Sequence, residues 1–219
     1  MTSKTEARKD FDKDARQWDA SPTKVKMASD VGAAIIREVK LSTDMDVMDF
    51  GCGTGLLTLK LQPLVKSITG VDSSQGMLGV LQNKIVQQGL VNVFTRFVDF
   101  GHGKHAQGSY DLIVSSMTLH HVPDTQALFK EWAGLLRPGG QVSFADLDAE
   151  DGSFHSDNTG VFHFGFDREE LKRMLHEAGF GDFSATTATV INKETKEQGV
   201  RSYPVFLITA TRIGHESCR

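Results

Sequence analysis

The sequence has little of what would assign it to a specialised class. Only two cysteines, Cys52 and Cys218, occur in 219 residues, which is too few for a disulfide framework. No stretch reaches the roughly 18 apolar residues that a membrane-spanning helix needs. The first residues also lack the apolar segment of a secretory signal. We therefore expect a cytoplasmic protein without a membrane span.

The chain also has no large excess of positive or negative charge. The formal net charge is −4 and no run of like charges occurs, so nucleic acid is not an expected partner. Hydrophobic residues make up 39% of the chain and charged residues 24%, an ordinary balance for a globular protein. The length fits one domain over residues 1–219 better than two. Nothing in this composition indicates the oligomeric state.

Strand and helix patterns alternate along the chain. Strands are expected at residues 46–50, 67–72, 93–98, 110–115 and 141–145. Helices are expected between them, beginning after the N-caps Ser21, Asp124 and Asp167. A turn is expected at 137–140. Two β-rich runs, 185–191 and 205–211, close the chain, with residues 192–204 expected as an exposed loop.

This alternation predicts an α/β fold, a Rossmann-like and mostly parallel sheet with helices on both faces. The last two strands have no helix between them, so we expect them to pair antiparallel. Right-handed crossovers place every loop that follows a parallel strand at one edge of the sheet. Ligands of open α/β sheets bind along that edge.

A glycine-rich motif follows the first expected strand. Residues 47–55 read Val-Met-Asp-Phe-Gly-Cys-Gly-Thr-Gly, and glycines at alternate positions let a backbone turn tightly and approach a ligand. A plain strand-to-helix turn would need glycine too. Two acidic residues favour a binding site instead. Asp72 ends the next strand, where a carboxylate can accept both hydroxyl protons of a ribose, and Asp99 ends the third, where it can meet an adenine amino group.

Together these stretches resemble class I S-adenosylmethionine-dependent methyltransferases, with most similarity to the small-molecule branch that includes quinone-biosynthesis enzymes. The matching stretches are DFGCGTG at 49–55, VD at 71–72, VDF at 98–100, SSMTLHHVPD at 115–124 and LLRPGG at 135–140. The resemblance implies a seven-stranded sheet with a reversed last strand. It also implies S-adenosylmethionine as cofactor and S-adenosylhomocysteine as product. The implied cofactor-binding residues are Asp49, Gly51, Cys52, Gly53, Gly55, Asp72, Ser73, Met77, Asp99, Phe100, Ser115 and Met117.

A nicotinamide-binding domain is the main competing interpretation. That fold prefers Gly-x-Gly-x-x-Gly, and Leu56 stands where its third glycine would be. The Arg-Pro-Gly-Gly stretch and the absence of a second catalytic domain also disfavour it. A protein methyltransferase and a non-catalytic module that binds S-adenosylmethionine remain open. We expect a small-molecule methyl acceptor, with an oxygen, nitrogen, sulfur or carbon nucleophile.

Histidines are the candidates for proton transfer, because methyl transfer to a hydroxyl, thiol or ammonium also removes a proton. His121 follows the fourth strand at the ligand edge and is the predicted catalytic residue. The other histidines considered are His120, His155 and His163. A metal is not expected, since Ser115 and Ser116 stand where magnesium-dependent relatives need a carboxylate.

Two segments are predicted to cover the site. The N-terminal segment, residues 1–22, carries Phe11 and Trp18 on a polar background. The second segment, residues 147–166, contains four phenylalanines together with His155 and His163. Reversible docking of both would admit ligands and then exclude water. The alternative for Trp18 is a fixed anchor of the first helix.

Overall fold

The structure is a computed structural model, and it describes residues 9–98, 106–195 and 199–213. Two predicted cofactor-binding residues, Asp99 and Phe100, lie outside the described residues. Within the described part of the chain, no helix is both long and apolar enough to cross a membrane.

Seven strands form a single sheet in the order β3-β2-β1-β4-β5-β7-β6. Strand β7 runs antiparallel to both of its neighbours, β5 and β6, while β1 to β5 are parallel. This arrangement confirms the predicted seven-stranded sheet with a reversed last strand. The strands are β1 Asp46–Phe50, β2 Ser67–Asp72, β3 Val93–Phe97, β4 Tyr110–Ser116, β5 Leu136–Leu147, β6 Phe180–Thr195 and β7 Gly199–Arg212.

Helices cover both faces of the sheet, and several begin at the predicted side-chain caps. The side chains of Ser21, Asp124 and Asp167 each accept a hydrogen bond from a backbone N–H of the first helical turn. Such caps satisfy donors that have no partner inside the helix. The α-helices are α1 Phe11–Asp14, α2 Pro22–Glu38, α3 Leu56–Leu61, α4 Gln75–Gln88, α5 Thr125–Leu135 and α6 Arg168–Glu177. Short 3-10 helices occupy Ala15–Ala20, Gln62–Leu64 and Leu119–His121.

The apolar core consists of two clusters, one on each face of the sheet. Ile35 and Leu81 represent the first cluster, and Phe129 and Trp132 the second. The central strand β1 contributes to both, because four consecutive residues, Val47–Phe50, are buried. A strand buried on both faces is typical of parallel sheets, and it fixes the loop that follows β1.

The prediction of an exposed loop at residues 192–204 is wrong. Strands β6 and β7 pair through residues 192–195 and 199–204, with Asn192 opposite Ser202 and Lys193 opposite Arg201. The hydroxyl of Ser202 donates to the Asn192 side chain at 2.7 Å. Cross-strand pairs of this kind stabilise exposed strands, so the polar composition indicated exposure rather than a missing strand.

The predicted turn at 137–140 is also corrected, since these residues lie within β5. The pairing with β4 shifts from Tyr110–Leu136 to Leu112–Gln141, so the Arg-Pro-Gly-Gly residues form an irregularity in the strand. A bulge of this kind absorbs the extra residues without ending the ladder.

Candidate active site

A cavity of about 610 Å³ opens at the carboxyl ends of β1, β2 and β4. Its floor includes Asp49 from β1, Asp72 from β2 and Met117 after β4. Strand order reverses between β1 and β4, and such a switch point is where open α/β sheets bind ligands. The N-terminal segment and residues from 154–162 and 191–193 complete the walls.

The glycine loop after β1 has the left-handed backbone that its composition predicts. Gly51 has φ +69° and Gly53 has φ +54°. A Cβ on Gly51 would lie 2.3 Å from the Thr118 side chain, whereas one on Gly53 would meet nothing nearer than the Met77 sulfur at 4.0 Å. Gly51 is therefore required by packing, and Gly53 leaves open space for a ligand to approach the backbone.

Asp72 connects the loop to the end of β2. Its carboxylate accepts hydrogen bonds from the backbone N–H of Gly53 at 2.8 Å and of Ser74 at 2.9 Å. Burial raises the pKa of Asp72, although these bonds oppose the shift. Each carboxylate oxygen can accept a further bond, so the side chain can still receive two hydroxyl groups from the cavity.

Asp49 lies under the loop and is 1% exposed. The hydroxyl of Thr58 donates to it at 2.5 Å. Burial raises the pKa of Asp49 to about 7, and the nearby charge of Asp72 adds to the shift. Asp49 therefore supports the loop and also lines the cavity, where a cationic group would favour its charged form.

The N-terminal segment is fastened over the glycine loop by two acidic side chains. Asp12 accepts hydrogen bonds from the Ser74 hydroxyl at 2.5 Å and from the Gly76 backbone N–H at 2.8 Å, at the start of α4. Asp19 forms an ion pair with Lys84 at 2.5 Å. The segment thus contacts α4 at two points. Its reversible opening stays a prediction.

Aromatic side chains of this segment line the cavity. Phe11 packs edge to face against Trp18, with ring centroids 6.0 Å apart, and against His121 at 5.1 Å. The Lys24 ammonium lies 3.3 Å from the Trp18 ring centroid. Trp18 therefore contacts α2 and also faces the cavity, which fits both interpretations that the sequence left open.

Three histidine rings meet at the opposite end of the cavity. The Nδ1 of His120 lies 2.8 Å from a carboxylate oxygen of Asp146, and both side chains are buried. The Nδ1 of His121 lies 2.6 Å from the Gly160 carbonyl. The ring centroids of His120 and His121 are 4.1 Å apart, and those of His120 and His155 are 5.0 Å apart. Because the Nδ1 atoms of His120 and His121 each face an oxygen acceptor, Nδ1 carries the proton in these two rings and Nε2 keeps its lone pair.

The three rings differ in how they can hold charge. Burial, followed by repulsion from His120, lowers the pKa of His121 to about 4 and that of His155 to about 3. Burial opposes the charge on Asp146, yet the interaction with His120 and the hydrogen bonds from the backbone N–H groups of Leu147 and His120 together lower the carboxyl pKa. Asp146 is thus ionised near pH 7, while His121 and His155 stay neutral there.

Several predicted residues meet at the cavity and others do not. Cys52, Ser73, Met77, Met117, Trp18, His121 and His155 line it. Ser115 does not, because its buried hydroxyl donates to the Phe50 carbonyl at 2.8 Å, and Ser116 takes its place. His163 is directed to the Val122 carbonyl at 2.9 Å. Gly55 caps α3 behind the loop.

Sequence reasoning missed three features of the site. The pairing of His120 with Asp146 joins residues that follow two different strands. Lys193 reaches the cavity only because this part of β6 pairs with β7. Met117 has φ +56°, a backbone conformation that is rare outside glycine and often marks functional sites. None of these has a local signal in the sequence.

No group of three or more His, Cys, Asp or Glu among the described residues could hold a metal ion. The thiol of Cys52 is buried, and burial raises its pKa well above the ordinary range. It therefore acts as a small side chain in the loop rather than as a nucleophile.

A methyltransferase-domain family model matches residues 26–184. The chain belongs to this methyltransferase family. The match and the sheet order confirm the predicted membership of the class I S-adenosylmethionine-dependent methyltransferases. The matched residues include the glycine loop, Asp72 and all three histidines of the cluster.

Relatives support the same class. An uncharacterised methyltransferase of Schizosaccharomyces pombe is 32% identical over 164 residues, covering 68% of this chain and 56% of its own length. A ubiquinone biosynthesis O-methyltransferase of Coxiella burnetii is 37% identical over 103 residues, covering 47% and 43%. The chain thus spans about half the length of these curated relatives. A Haemonchus contortus phosphoethanolamine N-methyltransferase solved with S-adenosylmethionine has a TM-score of 0.68 at 14% identity, covering 93% of this chain and 60% of its own.

Proposed function

We propose that this methyltransferase methylates a hydroxyl group of a small molecule, with His120 as the base that removes the hydroxyl proton. The observation that carries the proposal is the buried His120–Asp146 pair, whose Nδ1–O distance is 2.8 Å, on the same cavity as the glycine loop. Enclosure of the cavity by the N-terminal segment supports a small acceptor over a protein side chain.

The cofactor end of the cavity fits S-adenosylmethionine. Asp72 has accepting capacity for a ribose, Gly53 leaves its backbone open, and Asp49 can face the amino group of the methionine portion. Met77 and Ser73 line the cavity beside them, where adenosine would lie. When bound, the cofactor supplies an electrophilic methyl group. These residue roles belong to the proposal.

Proton removal favours His120 over the predicted His121. In both rings Nδ1 is paired with an oxygen atom, so Nε2 is the nitrogen left to contact an acceptor in the cavity. Only His120 has a carboxylate partner, and this partner stabilises the imidazolium that forms when the hydroxyl loses its proton. His120 would hold the hydroxyl proton while the oxygen takes the methyl group that the bound cofactor would supply, and S-adenosylhomocysteine would leave. His121 would contact the acceptor and keep Phe11 in place.

Labelled methyl transfer tests the proposal. The protein is incubated with S-adenosylmethionine carrying a labelled methyl group and a metabolite extract, and label is sought in small molecules. His120→Gln should lower the rate by about 10²- to 10⁴-fold, the usual contribution of a positioned base, with unchanged binding of S-adenosylhomocysteine. His163→Gln is the matched control, since His163 lies off the cavity.

The outcomes separate the alternatives. Label in protein would support a protein methyltransferase, and cofactor binding without any transfer would support a binding module. Full activity in His120→Gln would contradict the base assignment. Asp146 is a positioning residue, so Asp146→Asn should lower kcat with little change in KM or in binding of S-adenosylhomocysteine, because the imidazolium that forms loses its charged partner.

A further inference from the structure

Three lysines line the cavity near the N-terminal segment and the end of β6. Lys9, Lys24 and Lys193 all line the cavity, and none forms an ion pair with a described carboxylate. The Lys193 ammonium donates to the Phe154 carbonyl at 2.7 Å and lies 3.5 Å from the centroid of the Phe154 ring. It therefore still has two protons to donate.

The carboxylates that line the cavity have other hydrogen-bond partners and do not pair with these lysines. Asp49 and Asp72 belong to the cofactor end, under and beside the glycine loop. Asp157 is exposed, and its carboxylate accepts hydrogen bonds from the Thr159 backbone N–H and hydroxyl. Burial lowers the pKa of Lys193; attraction to Glu150, which lies outside the cavity lining, opposes this shift, and repulsion from Lys9 and Lys24 adds to it. An anion at this end of the cavity would offset the burial and the repulsion between the lysines.

His155 adds an independent sign of a missing ligand. Its Nε2 is buried and has no hydrogen-bond partner among the described residues. A buried polar atom without a partner costs free energy. His155 follows Phe154, with their ring centroids 4.8 Å apart, so the His155 ring and the Lys193 ammonium both pack against the Phe154 ring.

We propose that the methyl acceptor is an aromatic acid whose anionic group binds to Lys193 and His155, while its hydroxyl group reaches the His120–Asp146 pair. The ammonium and the His155 Nε2–H donate to the anion, and the ring of the acceptor packs among Phe154 and Phe162, which line the cavity. A cationic acceptor is disfavoured by the same lysines. This inference rests on the proposed function and names the substrate class of that site.

Three matched probes test the inference by calorimetry on protein saturated with S-adenosylhomocysteine. They are 4-hydroxybenzoate, 4-hydroxybenzamide and 4-hydroxybenzylamine, which share a ring and a hydroxyl and differ in charge. The acid should bind about tenfold or more tightly than the amide, the gain expected of a charge-assisted hydrogen bond, and the amine should bind most weakly. Lys193→Gln should remove the preference for the acid without changing binding of the amide or of S-adenosylhomocysteine. Lys172→Gln, at an exposed lysine of α6, should change nothing.

The contrary outcomes are distinct. No binding of the acid, equal binding of acid and amide, or an unchanged preference in Lys193→Gln would overturn the inference. Weaker binding of S-adenosylhomocysteine in Lys193→Gln would overturn it too, by assigning the lysine to the carboxylate of the cofactor. Failure of the wild-type protein to bind S-adenosylhomocysteine would instead contradict the proposed function.

Discussion

Replacement of Asp49 by asparagine should stabilise the protein at alkaline pH and leave it nearly unchanged at acidic pH. The carboxyl group is 1% exposed, and burial raises its pKa from 3.8 to about 7. The folded state therefore holds a proton on Asp49 that the unfolded chain has released. The stability that this proton provides is complete below the unfolded pKa and is lost as the pH rises through the folded value.

The magnitude follows from this pKa shift. One pKa unit corresponds to about 1.4 kcal/mol, and between pH 5 and pH 8 the folded carboxyl passes from protonated to mostly ionised. The unfolding free energy of Asp49→Asn relative to wild type should therefore rise by about 2.5 kcal/mol over this interval. The comparison must be relative, because the neutral buried His121 and His155 make both proteins less stable at pH 5.

Urea unfolding followed by circular dichroism at both pH values measures the difference. Asp44→Asn is the control, because Asp44 is exposed, and its difference from wild type should not change with pH. A constant difference between Asp49→Asn and wild type would refute the reasoning, since it would mean that Asp49 is already ionised at pH 5.

Three further predictions follow from the same contacts. Gly51→Ala should destabilise the fold by about 1–3 kcal/mol in urea unfolding, because the backbone is left-handed and Thr118 lies where the Cβ would stand. The unfolding free energy of wild type relative to His155→Gln should fall as the pH drops from about 6.5 to 4, since the unfolded wild-type chain protonates a histidine that the folded protein keeps neutral, while the opposing effects of Asp49 and Asp72 are common to both proteins; a difference that stays constant with pH would contradict the burial of His155. Hydrogen exchange should slow in residues 10–22 and 147–166 when S-adenosylhomocysteine binds, with β6 and β7 unchanged; equal exchange in 10–22 would contradict a moving lid there.

The central fold and the cofactor end of the site were accessible from the sequence because their physical demands are local. A left-handed turn needs glycine, which the spacing of Gly51 and Gly53 displays. A buried parallel strand reads as an apolar run, and the residue that ends it must face the ligand edge. Asp72 could be assigned on that basis.

The acceptor end could not be predicted, because its residues meet only through tertiary contacts. His120 and His121 are adjacent in a short 3-10 helix, and only the approach of Asp146 distinguishes them. Lys193 lies in a polar part of β6. The pairing of this part with β7, and not its own composition, makes it a strand. The resemblance implied Ser115, but the hydroxyl of this residue donates to the Phe50 carbonyl, and Ser116 lines the cavity.

Calorimetric titration with S-adenosylhomocysteine measures whether the cavity beside the glycine loop is the cofactor site. Wild-type protein should bind one molecule per chain, and Asp72→Ala should weaken binding about tenfold or more, because the ribose hydroxyls lose their charged acceptor. Asp44→Ala, at an exposed position far from the cavity lining, should bind as wild type does. Absence of binding to the wild-type protein, or equal affinity of Asp72→Ala and wild type, would contradict the account.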